Sequence, residues 1–200
     1  MDLDEMFGEG WCVTLAAHPL AETLRLMGVA APVPGLGSVS EAADVLRGPQ
    51  GEGALVLGRE LPGGWTLAVE FESGIGFDDE VLRALAVGGR TAFSAYRDPD
   101  TKTATIAHGG VILGRLELSG GYFDHFDGPS GGVDTTHPVI GSLTAVGFDA
   151  SGACEPSGEA ADTDEPEGGL VLAVRVLSGI ALTAADFEGP WAGGVSEVAS

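Results

Sequence analysis

Residues 54–72 read ALVLGRELPGGWTLAVEFE, and the fold turns on how this stretch is read. Two runs rich in Leu, Val, Trp and Phe, Ala54 to Glu60 and Trp65 to Glu72, flank a Pro-Gly-Gly turn, the pattern of a β-hairpin. Side chains alternate along a strand, so Trp65, Leu67, Val69 and Phe71 share one face while Thr66, Ala68, Glu70 and Glu72 share the other. The expectation is an apolar core on the first face and solvent on the second.

Outward from the hairpin, the same logic places further elements. Trp11 to Ala17 reads as a buried strand, Pro19 opens a helix with Leu20, Leu24 and Met27 at helical spacing, and Gly28 ends it. A Pro/Gly loop from Ala31 to Gly37 precedes Ser38 and Glu41, spaced as a capping box for a second helix that stops at Gly48-Pro49. Asp78 is an N-cap, with Phe77 and Leu82 at the staple positions and Gly88-Gly89 closing the helix. Three strands follow, near Thr91 to Tyr96, Thr103 to Ala107 and Val111 to Leu118, joined by Asp98-Pro99-Asp100 and Gly109-Gly110 as an antiparallel meander. Gly120 to Asp134 reads as a loop and His137 to Gly147 as a helix. Leu170 to Leu177 reads as a closing helix, after which Thr183 caps a turn that places Phe187.

These elements predict an α+β fold: an antiparallel sheet of about five to six strands, helices packed on one face, and a C-terminal helix. The domain reading is an α+β body over residues 1–150, an acidic flexible linker over 151–168, and a C-terminal helical segment over 169–200 packing on that body. Glu155 to Gly168 carries six carboxylates and almost no apolar side chains, which is why a linker is expected there.

Charge narrows the function classes. Thirty acidic residues against nine basic give a formal charge of −21 and a pI near 4.1. Nucleic acids are bound through Lys and Arg with counterion release, so direct nucleic-acid binding is not expected, nor is binding to anionic lipid. A basic protein is the expected partner, and mimicry of a nucleic acid is an extreme form of the same idea. Two cysteines, Cys12 and Cys154, are too few for a disulfide framework. The N-terminus lacks the basic and apolar regions of a signal peptide, and no apolar run reaches membrane-spanning length. The expectation is a cytoplasmic protein with no membrane segment.

Candidate chemistry is sparse. His18, closing VTLAAH, and Ser130, within GPSGG, together resemble elements of chymotrypsin-type proteases. Pro19 begins a helical pattern where a barrel would continue, and no strand delivers Ser130 as a nucleophile elbow requires. Asp124, His125, Asp127, Asp134 and His137 gather oxygen and nitrogen ligands at a spacing that matches no established metal motif; neither metal nor cofactor is expected. His108 reads as a turn residue. Gly35-Leu36-Gly37 lacks the third glycine and preceding strand of a dinucleotide fingerprint. Glu70 and Glu72, about 7 Å apart on one strand face, have a separation suited to paired acid and base carboxylates. The binding candidates are therefore Trp65, Glu70, Glu72, Asp124, His125 and Asp127.

The order of motifs resembles a family of actinobacterial proteins, common in Streptomyces and its relatives, known only as a domain of unknown function. The resemblance rests on WCVTLAAHPLAETLRLMG, GGWTLAVEFESGIG, EVLRALAVGGR, HGGVILGRLE and LVLAVRVLSGIALTAADF, with the Gly-Trp-Thr-x-x-x-Glu segment and EVLRAL the most specific parts. It implies a cytoplasmic α+β fold and supplies no catalytic residue. The resulting expectation is a noncatalytic acidic binding domain, an immunity, antitoxin-like or regulatory partner of a basic protein. The alternatives are a hydrolase using the carboxylates or the Asp/His loop, and a nucleic-acid mimic.

Overall fold

The computed structural model of the chain describes residues 3, 7, 10–47, 53–71, 73–99, 102–119, 122–127, 136–146 and 166–197; the side chains of 47, 102, 116–119, 122–127 and 166–170 fall outside that description. In chain order the elements are β1 (Trp11–Ala16), α1 (Leu20–Leu26), β2 (Val33–Leu36), α2 (Val39–Arg47), β3 (Leu55–Leu61), β4 (Trp65–Phe71), α3 (Asp79–Leu85), β5 (Thr91–Arg97), β6 (Lys102–His108), β7 (Val111–Ser119), β8 (Tyr122–Asp127), α4 (Pro138–Thr144), α5 (Pro166–Ser178) and β9 (Trp191–Val195). Short 3₁₀ turns stand at Pro62–Gly64, Ile75–Phe77 and Ala184–Phe187.

The hairpin forms as read, with Leu55 opposite Phe71 and Leu61 opposite Trp65. It belongs to a nine-stranded antiparallel sheet ordered β2-β9-β3-β4-β1-β5-β6-β7-β8, larger than the five or six strands expected. The additional strands escape a pattern search for a physical reason. Val33–Leu36 contains Pro34 and Gly35, and Trp191–Val195 carries Gly193 and Gly194, residues that depress strand propensity. Gly193 is there for close approach: a Cβ on it would collide with the Val56 carbonyl and lie 2.7 Å from Leu57 Cδ2. The segment read as a Gly/Asp loop supplies β8, and the chain past α5 returns as β9 between β2 and β3. Residues 151–165 of the expected linker lie outside the described residues.

Helices cover both faces of the sheet, where one was expected. Trp11, Val13, Leu15, Leu57, Leu67, Val69, Phe93 and Ile106 join one core with Ala42 of α2, Ile140 and Leu143 of α4, and Ala173 and Val174 of α5. Ala16, Val56, Ala68, Ala92 and Ala107, on the opposite face, join a second core with Leu24 of α1 and Leu82 and Leu85 of α3. Every residue of β1 is buried, as a central strand sealed on both sides must be. Small side chains on the second face let its helices lie close. A Cβ on Gly58 would come within 2.7 Å of Leu20 Cδ1 and 3.2 Å of Leu24 Cδ2.

The helix signals hold in detail. Ser38 Oγ accepts from Glu41 N at 3.3 Å while Glu41 accepts from Ser38 N at 2.8 Å. Asp78 accepts from Glu80 N and Val81 N at the start of α3. Thr183 and Asp186 form a reciprocal cap that leaves Phe187 buried.

Candidate functional site

Glu70 is the candidate that the fold changes most. Its register places it between Val56 of β3 and Cys12 of β1, on the second face, where α1 and the turn at Ile75–Phe77 replace the expected solvent. The side chain is fully buried. Its carboxylate accepts from Ser73 Oγ at 2.5 Å and from the backbone N–H groups of Ile75 and Gly76 at 2.8 Å each. It thus acts on the 3₁₀ turn as a capping residue does on a helix, satisfying donors that have no partner within the turn. Burial pushes its pKa above the ordinary carboxylate range, against the opposing pull of the Ser73, Gly76 and Ile75 hydrogen bonds. The approach is so close that a Cβ on Gly76 would overlap Thr14 Oγ1 and stand 2.9 Å from Glu70 Oε1.

Around this carboxyl lies a polar seam not recognised in the sequence. Cys12 Sγ is 3.2 Å from Ser94 Oγ, and Ser94 Oγ is 3.1 Å from Thr14 Oγ1. All three residues are buried. Burial, reinforced by the neighbouring Glu70 charge, raises the Cys12 thiol well above its usual range. A thiolate nucleophile needs an electropositive, partly exposed setting, so this thiol is set up to stay protonated. The available signal was the alternation Cys12, Thr14, Ala16 along β1, small or polar at each position facing the second helix layer.

The remaining candidates do not converge on Glu70. Glu72, Ser130 and Asp134 lie outside the described residues, so the Glu70/Glu72 pair has no described geometry. Trp65 begins β4, half-buried against the first core. Asp124, His125 and Asp127 fall in β8, where His125 pairs with Glu117 and Asp127 with Arg115; their side chains are outside the description. His18 is buried, its carbonyl accepts from Thr66 Oγ1 at 2.7 Å, and burial followed by the Arg90 charge lowers its pKa. His137 caps α4, its Nδ1 accepting from Val139 N at 3.3 Å. His108 is more than a turn residue: its Nδ1 lies 2.9 Å from Thr91 Oγ1, and its ring meets that of His137. Among the described residues, no group of three or more His, Cys, Asp or Glu side chains is placed to hold a metal ion. Among them also, no helix is long and apolar enough to cross a membrane.

A shallow cleft opens at the β2 end of the sheet, lined by Leu20, Gly35, Arg59, Glu60 and Pro190 among others. Arg59 Nη1 donates to the carbonyls of Ala185, Asp186 and Gly189 at 3.0–3.1 Å. Its guanidinium therefore holds the turn before β9 in place. Exposed Glu60 lines the cleft, exposed Glu188 stands two residues before Pro190 of its wall, and exposed Glu41 sits over Gly37, just past β2. Exposed Val33 and Val45 lie on the neighbouring β2 and α2.

The fold and its buried polar seam define an α+β protein built on one antiparallel sheet held between two helical layers. The chain belongs to DUF6461, a family of unknown function whose model matches residues 2–190. No curated protein and no solved structure matches it.

Proposed function

We propose that the chain is a noncatalytic, acidic, cytoplasmic binding domain that acts on a basic protein partner, as an immunity, antitoxin-like or regulatory protein does. The observation that carries this reading is the exposed carboxylate of Glu60 on the wall of the cleft at the β2 end, with exposed Glu188 two residues before Pro190 of that wall and the neighbouring Arg59 committed to backbone carbonyls. In a chain of formal charge −21, such a surface attracts a cationic partner and speeds its encounter, while Val33 and Val45 offer apolar contact beside it. The arginines elsewhere on the described surface include Arg25, paired with Glu22, and Arg83 and Arg115, both paired with Asp79.

The test is capture on the immobilised chain from native lysate, followed by titration of each purified candidate at rising salt. The expected result is a basic protein whose affinity falls with ionic strength and falls further in the combined variant Glu60→Lys, Glu188→Lys. Glu80→Lys, on α3 and outside the lining of the cleft, is expected to bind as the wild type does. Recovery of nothing above control, or equal binding by both variants, overturns the reading. The upward shift of Glu70 is the one observation favouring an acid–base hydrolase. A turnover detected in activity screening and abolished by Glu70→Gln in a folded chain would replace the binding reading with that one.

A further inference from the structure

We propose that His108 and His137 form a two-imidazole site for a d-block dication such as Zn²⁺ or Ni²⁺, with its remaining coordination positions open to water or to a carboxylate of an incoming molecule. The inference is independent of the proposed function.

The two residues are far apart in sequence and are brought together by rigid elements. His108 ends β6, directly opposite Thr91 of β5, and Gly109 N donates to the Arg90 carbonyl at 3.0 Å, fixing the turn that follows. Thr91 Oγ1 lies 2.9 Å from His108 Nδ1. When Nδ1–H donates there, the lone pair of the neutral ring is on Nε2, the arrangement by which an outer hydrogen bond prepares a histidine ligand. His137 is held as the N-cap of α4 immediately before Pro138. The ring centroids stand 5.2 Å apart at an interplanar angle of 61°. A tetrahedral ion about 2.0–2.1 Å from one nitrogen of each ring would separate the centroids by roughly 5 Å, so the spacing already suits a shared ion. Both side chains are half-buried, which limits the ordering that binding would require.

One adjustment is needed at His137. Its Nδ1 accepts from Val139 N at 3.3 Å, so ligation through Nε2 shifts the ring proton to Nδ1 and gives up that long hydrogen bond for a coordination bond. Imidazole nitrogen selects Zn²⁺, Ni²⁺ or Cu²⁺ over Mg²⁺ and Ca²⁺, which prefer oxygen. This distinguishes the site from the many carboxylates of the chain.

The experiment titrates the full chain with Zn²⁺, and separately with Ni²⁺, against a background of excess Mg²⁺ that occupies carboxylates. The expected result is one ion per chain, with affinity reduced at least tenfold in His108→Gln and in His137→Asn and unchanged in His18→Ala and His125→Ala. Asparagine is a favoured N-cap, so His137→Asn keeps the start of α4, and the urea midpoint of each variant checks its fold. In the unaltered protein, paramagnetic Ni²⁺ should broaden the ring signals of His108 and His137 before any other. Wild-type affinity in either ligand variant, first broadening elsewhere, or no Zn²⁺ uptake overturns the proposal and leaves the rings as an edge-to-face contact.

Discussion

Beneath α2, α4 and α5 the strands present Trp11, Val13, Leu15, Leu67, Val69 and Phe93, whereas beneath α1 and α3 they present Cys12, Thr14, Ala16, Thr66, Ala68, Glu70 and Ser94. Both sets are buried, yet the first is cohesive through volume and the second through hydrogen bonds made at short range. Large apolar side chains keep a helix at a distance and tolerate modest repacking. Small and polar ones bring it close and demand that each donor finds its acceptor. A sealed face is therefore compatible with a sequence that reads as solvent-exposed, provided that the polar groups are paired.

The comparison is broken most severely on the first face. Trp191 is 1 % exposed, and Trp191→Ala removes a large side chain from a site that cannot fully collapse, so the expected loss is about 3–5 kcal/mol, measured by urea unfolding. A loss below about 1 kcal/mol would mean that the β2-β9 end is not part of the cooperative core. The second face should fail through crowding instead. Gly58→Val drives a branched side chain into Leu20 and Leu24 of α1, with an expected cost of about 1–3 kcal/mol. If the substitution is neutral or stabilising, as glycine removal from an open strand would be, α1 does not lie against β3 at this point.

The same contrast marks what could be read from the chain. Caps were legible, because Ser38 with Glu41, Asp78, and Thr183 with Asp186 are local arrangements in which the side chain bonds to backbone two or three residues away. The meander was legible because its turns are marked by Gly and Pro. β9 was not, since Gly193 reflects the proximity of Val56 and Leu57, which are remote in sequence. Glu70 stands out in the sequence for its place on a strand, but the face it occupies is buried, not solvent-exposed. Alternation between apolar and small or polar residues does not distinguish a face met by water from one met by a helix at close range. The donors that satisfy Glu70 come from Ser73, Ile75 and Gly76, so the SGIG segment after the hairpin held the missing signal. The meeting of His108 with His137 depends on tertiary placement of α4 and had no local signature.

The finest test of the contrast is the pH dependence of Glu70. Glu70→Gln keeps the shape of the side chain but puts an amide N–H₂, which cannot accept, where a carboxyl oxygen, protonated or not, keeps a lone pair for a Ser73, Ile75 or Gly76 donor. At low pH the variant should be less stable by about 1–3 kcal/mol. Burial raises the native carboxyl above its ordinary value of 4.5, so the folded chain holds this proton more tightly than the unfolded chain does. The stability that this proton contributes is complete below 4.5 and is lost as pH rises through the native value, because there the native state binds more protons than the unfolded one. Repulsion among the other carboxylates also grows with pH, but it acts on wild type and variant alike. The difference in unfolding free energy between them isolates Glu70, and the deficit of the variant should narrow as pH rises. A deficit that widens instead would show that the Ser73, Ile75 and Gly76 hydrogen bonds outweigh burial and draw the native carboxyl below its ordinary value.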